Sequence, residues 1–227
     1  MFQHQIIFED NHLIIVNKLP GQLVQPDDEG IESSLEDELK EYIKEKYSKP
    51  GAVFLGVIHR LDRPVSGVCA FARTSKALER MNKIFAERTV KKVYLALVHG
   101  KPEKKEGKLV NWLIKDTERN VVSAYNNDKR GGVRAELDYK TLKQQSGYSL
   151  LEVVPLTGRP HQIRVQLSKM GCPIVGDLKY GSQKANHDRS ICLHAYRLEF
   201  EHPVTKEKMN ITAEPEEDSL IRMLSSD

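Results

Sequence analysis

The chain has 227 residues, 39% hydrophobic and 30% charged, which suits a globular protein with a sizeable buried core and excludes a disordered or fibrous one. No stretch approaches the ~20 apolar residues of a membrane span, and Met1-Phe2-Gln3-His4-Gln5 lacks the basic-then-apolar order of a signal peptide. The net charge of +3, from 35 basic and 32 acidic residues, does not itself specify a nucleic-acid partner. Basic residues nevertheless gather at 60–63, 88–92, 101–108 and 159–164, and acidic ones at 27–45 and 214–218, so a nearly neutral protein can still carry a positive face.

Along the chain, Leu13–Val16 predicts a strand and Lys18-Leu19-Pro20-Gly21 a turn. Leu35, Leu39, Tyr42 and Ile43 are spaced for a helix over 32–47, with Ser33 or Ser34 as cap and Pro50-Gly51 as stop. Val65–Ala72 predicts a strand, and Thr74 caps a helix over 75–87 that puts Leu78, Met81, Ile84 and Phe85 on one face. Val90–Val98 alternates as a strand, 101–108 is a charged loop, and strands follow at 108–115, 119–125, 133–143 and 148–155. Turns are expected at 126–128 and 130–132. A helix is expected over 160–170 with Pro160 in its first turn, then a hairpin of 191–200 with 207–213, and a short helix in 214–225. The pattern implies one α+β domain over 1–227 with a largely antiparallel sheet and a hinge at 99–108. Cys69, Cys172 and Cys192 form no CxxC pair and are odd in number, which suits a reducing cytoplasm and buried structural thiols.

The segment His59-Arg60-Leu61-Asp62-Arg63-Pro64-Val65-Ser66-Gly67 sets one carboxylate between two guanidiniums, with Pro64 and Gly67 marking a turn. Flanking cations favour ionised Asp62, and an ionised carboxylate on a turn beside phosphate-binding bases suits a nucleophile presented to a polyanion. A structural ion-pair cluster would use the same residues.

Three further segments extend this one. They are Lys91-Lys92-Val93-Tyr94-Leu95-Ala96-Leu97-Val98-His99-Gly100, Leu156-Thr157-Gly158-Arg159-Pro160-His161-Gln162-Ile163-Arg164, and Gly171-Cys172-Pro173-Ile174-Val175-Gly176-Asp177-Leu178-Lys179-Tyr180-Gly181. Together, and in this order, they resemble the RluA-type pseudouridine synthase family from about residue 8 to residue 213. The resemblance implies an extended mixed, largely antiparallel sheet with flanking helices and a central active-site cleft. It implies isomerisation of uridine to pseudouridine in ribosomal or transfer RNA, without cofactor or metal. It also implies a cytoplasmic protein without membrane attachment, for which a monomer is expected.

By the same resemblance, Asp62 matches the catalytic aspartate, acting as nucleophile or base. Arg164 matches the arginine that pairs with it. Tyr94 matches the active-site tyrosine, whose ring can stack on uracil and whose hydroxyl can serve proton transfer at carbon 5. Arg60 fills the space left by a nucleotide that has swung out of its stack. Lys92, Arg63 and Arg159 suit phosphates, the last at a helix start whose N–H groups favour anions. Ile163 forms an apolar wall beside the base. His59 and His161 either contact RNA or brace the turns on which they lie, and Gln162 is a second candidate brace. Asp177 and Tyr180 hold a local turn.

This chain departs from the family pattern in two places. It has Leu19 between Lys18 and Pro20, and Val65 where a threonine is usual, which removes one hydroxyl. The pattern starts near residue 8, so no separate N-terminal RNA-binding domain is expected, and RNA selection falls to this domain and loops such as 101–108 and 126–132. Two other readings compete: a non-catalytic RNA-binding or remodelling protein on the same fold, and a metal-dependent hydrolase using Asp62 with His59, His161 or His194. The spacing of these histidines fits no standard metal-site pattern.

Overall fold

The computed structural model describes residues 5–26, 32–216, 219 and 221. In chain order the elements are β1 (Gln5–Glu9), β2 (Leu13–Lys18), α1 (Leu35–Lys46), β3 (Gly56–Val57), β4 (Ser66–Ala72), α2 (Ser75–Ala86), β5 (Lys91–His99), β6 (Glu106–Asp116), β7 (Val121–Tyr125), β8 (Val133–Gln145), β9 (Tyr148–Pro155), α3 (Gln162–Lys169), a 3-10 turn at Leu178–Tyr180, β10 (Leu193–Glu201) and β11 (Lys208–Thr212). This is the expected α+β class, with helices and largely antiparallel strands. The short helix expected in 214–225 falls largely outside the described residues. Among the described residues no helix is long and apolar enough to cross a membrane.

The chain folds as two compact units, Met1–Lys91 with Ala195–Glu214, and Lys92–His194 with Pro215–Asp227. The hinge expected at 99–108 lies inside the second unit. Gly100 N–H bonds Gly147 O at 2.8 Å, Ser149 Oγ donates to Gly100 O at 2.8 Å, and Thr141 N–H bonds Lys105 O at 2.7 Å. The strand of the charged segment also starts earlier than expected, at Glu106.

In the first unit the strand order is β1-β2-β4-β10, with β11 beside β10 and β3 beside β4. β2 is buried along its whole length, so both faces of its pleat are covered. Leu13 and Ile15 join Val68, Ala70, Met81, Leu198 and Phe200 in one apolar cluster, which is where the amphipathic stripe of α2 is buried. Ser34 caps α1 by accepting from Asp37 N–H at 3.2 Å, while Asp37 Oδ2 takes the Ser34 N–H in return. Thr74 caps α2 through Ala77 N–H at 3.2 Å. β1 went unpredicted; its pairing with β2 shifts register between Ile6 and Phe8, and that irregularity breaks the alternation by which a strand is read.

In the second unit the order is β5-β9-β8-β6-β7. Val165 of α3 and Tyr180 pack on Leu113, Val122 and Ala135, covering one face of β6, β7 and β8. Buried Gln166 donates to Asn111 Oδ1 at 2.9 Å and fixes the helix to β6. The segment after α3 returns beside β5, with Val98 bridged to Ile174 and Leu97 N–H bonded to Cys192 O at 2.9 Å. All three cysteines are buried free thiols, and burial pushes Cys69 up to about 12 and Cys192 up to about 11.

Candidate functional site

Asp62 stands on a turn whose backbone is held by buried side chains and by hydrogen bonds to its own N–H and C=O groups. Ile58, Leu61 and Val65 are buried and anchor the segment, Arg60 and Arg63 are exposed, and Asp62 is half-buried between them. Val65 N–H closes the turn on Asp62 O at 3.0 Å. The residue standing where the family pattern has threonine thus serves as an apolar anchor.

The carbonyl of Arg63 accepts from Gly21 N–H at 2.8 Å and from Lys18 Nζ at 3.1 Å. Lys18 is fully buried at the end of β2, and its ammonium also donates to Leu19 O at 2.9 Å and Gln22 O at 3.0 Å. Burial is the main cause that lowers its pKa from 10.5 to about 8; nearby Arg63 acts the same way, while Cys69 and Asp62 oppose the shift. Lys18 is a functional support that sequence reasoning missed, since Lys18-Leu19-Pro20-Gly21 signals only a turn.

His59 Nε2 accepts from Ala70 N–H at 3.2 Å, and its ring stacks on Phe85 with centroids 5.3 Å apart. This is the bracing arrangement of the two considered for His59. Arg63 directs its guanidinium to Gly21 O at 3.0 Å and to Glu32 at 2.6 Å. Gly67 is not part of the turn. It lies in β4 with φ +113°, and a Cβ there would come within 2.3 Å of Ala195 O on β10. Only glycine permits that approach.

In the second unit, Tyr94 of β5 lies opposite Val153 of β9 and is half-buried. Lys92, two residues earlier on the strand, has its Nζ 3.4 Å from the position a Cβ on Gly158 would take, so Lys92 and the Gly158-Arg159 segment are neighbours.

The turn before α3 is held by buried Gln162. Its Oε1 accepts from Thr157 Oγ1 at 2.7 Å and from Arg159 N–H at 3.0 Å, and its Nε2 donates to Glu136 O at 2.9 Å. The N–H of Arg159, expected to serve an anion, is thereby used internally. These bonds also delay the helix. Pro160 precedes α3, which begins at Gln162 after His161 in a left-handed conformation, φ 51°. That conformation is costly for a non-glycine residue. Here His161 Nδ1 shares a hydrogen bond with Tyr180 OH at 2.7 Å.

Arg164 is buried in α3. Its Nε donates to Asp177 Oδ2 at 2.7 Å and its Nη2 to Asp177 Oδ1 at 2.9 Å, a two-pronged ion pair. The guanidinium also stands 5.0 Å from the Tyr180 ring centroid, and Tyr180 OH accepts Val122 N–H at 2.9 Å. Asp177 and Tyr180, expected only to hold a turn, therefore also clamp Arg164. Ile163 beside it is buried.

A family sequence model described as RNA pseudouridylate synthase matches residues 12–169. The chain belongs to that family. It is 35% identical over 98% of its length to a ribosomal large subunit pseudouridine synthase C of Vibrio parahaemolyticus, of which it spans 69%. It is 31% identical over 92% of its length to a tRNA pseudouridine synthase C of Haemophilus influenzae, and covers 92% of that protein. The solved structure of human RNA Pseudouridylate Synthase Domain Containing 4 superposes with a TM-score of 0.79 over 97% of this chain and 91% of that one. At 24% identity this last likeness speaks to the fold. Family membership gives the chain its class, that of an isomerase forming pseudouridine in RNA.

Proposed function

We propose that the chain isomerises uridine to pseudouridine in ribosomal or transfer RNA, as a cytoplasmic monomer, with Asp62 as nucleophile or base. The observation that carries this reading is the construction of the Asp62 turn. Buried anchors, a buried lysine and a strand glycine all hold its backbone still, while the carboxylate stays half-exposed beside exposed Arg60. Such rigidity is what positions a reacting group.

The reaction breaks the bond from uracil N1 to the ribose, turns the base, and joins carbon 5 to the ribose; the proton on carbon 5 leaves and N1 gains one. No electron enters or leaves. Tyr94 stacks on the base and serves the proton at carbon 5. Arg164, kept oriented by Asp177 and Tyr180, serves as a fixed cation in the reaction, and Ile163 lines the base. Arg60 fills the vacated stack, and Lys92 and Arg159 take phosphates. The hydrogen bonds of His59, Arg63 and His161 support a role in holding turns for these three.

Site-resolved pseudouridine mapping of total RNA, from cells with and without the gene, tests the proposal and names the substrate. Pseudouridine should disappear from one or a few uridines of ribosomal or transfer RNA. Identical maps would contradict it.

A further inference from the structure

We propose that one face of β7, β6 and β8 is a stacking platform for single-stranded RNA, built from Tyr125, Trp112 and Arg134 in a row and ringed by Lys129, Arg130 and Arg159. The inference rests on the reading of RNA as substrate and names a surface that grips it.

The row follows from register. Trp112 of β6 is paired with Tyr125 of β7 on one side and with Arg134 of β8 on the other. Directly opposed residues share a sheet face, their Cβ atoms ~4.5–5.5 Å apart, so two aromatic rings and a guanidinium plane lie side by side across three strands. Leu113, Val122 and Ala135 alternate with them and pack against Val165 and Tyr180. The row therefore occupies the opposite face from α3. Trp112, the chain's single tryptophan, and Tyr125 are only half-buried, and Arg134 is exposed.

The connection from β7 past β6 to β8, residues 126–132, lies against this row. Lys129 Nζ lies 3.9 Å from the Tyr125 ring centroid, and a Cβ on Gly132 would approach Trp112 Cβ to 3.0 Å. Arg130 is exposed in this connection, and Arg159 Nε donates to Arg134 O at 3.5 Å, which continues the basic edge to the turn before α3. Two carboxylates oppose these four cations: Glu136, paired with Arg134 at 2.6 Å, and Asp128 in the connection. Positive charge prevails.

The pairing of π-faces with cations selects the occupant. Unpaired bases offer faces to stack on aromatic and guanidinium planes while their phosphates take lysine and arginine. Duplex RNA keeps its base faces inside the stack and would leave both rings unused. The Lys129–Tyr125 contact is a cation–π pair at an accessible site, weak enough for the ammonium to move from the ring to a phosphate when a base stacks.

Because Trp112 is the sole tryptophan, the full chain's intrinsic fluorescence reports on the platform directly. The probes are a 12-nucleotide mixed-sequence single-stranded RNA and a 12-base-pair RNA duplex at low salt. The single strand should quench Trp112 saturably and the duplex should not. Tyr125→Ala should weaken single-strand binding by about 10-fold, and Tyr125→Phe by less than about 2-fold. Lys129→Ala with Arg130→Ala should weaken binding and reduce the slope of log K against log salt by about 1.4, the value for two phosphates on a single strand. Thermal unfolding of each variant separates lost binding from lost folding, and the exposed double variant carries the test if Tyr125→Ala unfolds.

Absent quenching, equal quenching by the duplex, or wild-type affinity in a folded Tyr125→Ala protein would overturn the platform. Pseudouridine mapping reports separately on the enzyme. A chain that modifies RNA without quenching keeps the enzyme and loses the platform; one that quenches through Tyr125 without modifying RNA keeps the platform and loses the enzyme.

Discussion

The turn that carries Asp62 and the helix that carries Arg164 are held by different kinds of contact. Around Asp62 each contact has a backbone atom on at least one side: Arg63 O receives Lys18 Nζ and Gly21 N–H, Ala70 N–H reaches the His59 ring, and Gly67 lies against Ala195 O. Around Arg164 the partners are side chains: the Asp177 carboxylate grips two guanidinium nitrogens, and the Tyr180 ring lies against the cation. A backbone-held turn tolerates many side-chain changes but few that demand space. A side-chain-held cation fails when its partner is shortened, because the charge stays buried.

The sharpest way to break the first region is therefore to add a methyl group. Gly67→Ala places a Cβ 2.3 Å from Ala195 O at φ +113°, where neither backbone can yield. Urea unfolding should show a loss above about 4 kcal/mol, or no folded protein. In the second region the equivalent is Asp177→Ala, which removes the two-pronged ion pair from buried Arg164 and should cost about 3–5 kcal/mol in the same assay. Equal, small losses in both variants would erase the distinction.

Lys18 sharpens the comparison through pH. Its pKa falls from 10.5 to about 8 on folding, so between those values the unfolded chain binds more protons than the folded one. Its burial penalty is present below about pH 8 and is released as pH rises toward 10.5. Relative to Lys18→Met, the wild type should gain about 3 kcal/mol of stability over that window, measured by urea unfolding at pH 7.5 and 10.5. Parallel pH profiles would place the ammonium outside the core. The smallest effect is expected from Tyr180→Phe, which removes the acceptor for Val122 N–H and the partner of His161 Nδ1 while keeping the ring against Arg164. It should cost about 1–3 kcal/mol, less than Asp177→Ala.

What the sequence made legible follows the range of the forces involved. The Ser34 and Thr74 caps act within three residues and were readable, as were most strands. The Asp62 turn was readable because its residues are contiguous. Lys18 was not: a buried ammonium becomes tolerable only when Leu19, Gln22 and Arg63 bring their carbonyls together, and Arg63 is 45 residues away. Gly67 was misread as a turn residue because its constraint comes from distant Ala195. The start of α3 was misplaced because Gln162 spends its amide on Thr157, Arg159 and Glu136, contacts that no helical periodicity encodes. Arg164 is expected to pair with Asp62, and the part that Asp177, 13 residues on, plays in holding it shows only in three dimensions.

The most direct test of the central claim uses RNA carrying tritium on carbon 5 of its uridines, transcribed from the RNA identified by mapping. Joining carbon 5 to the ribose expels that hydrogen, so tritium release counts turnovers. The wild type should release it, and Asp62→Asn should release it at least ~10³-fold more slowly while binding the RNA within about 3-fold of wild type. Wild-type release by a folded Asp62→Asn protein would contradict the account.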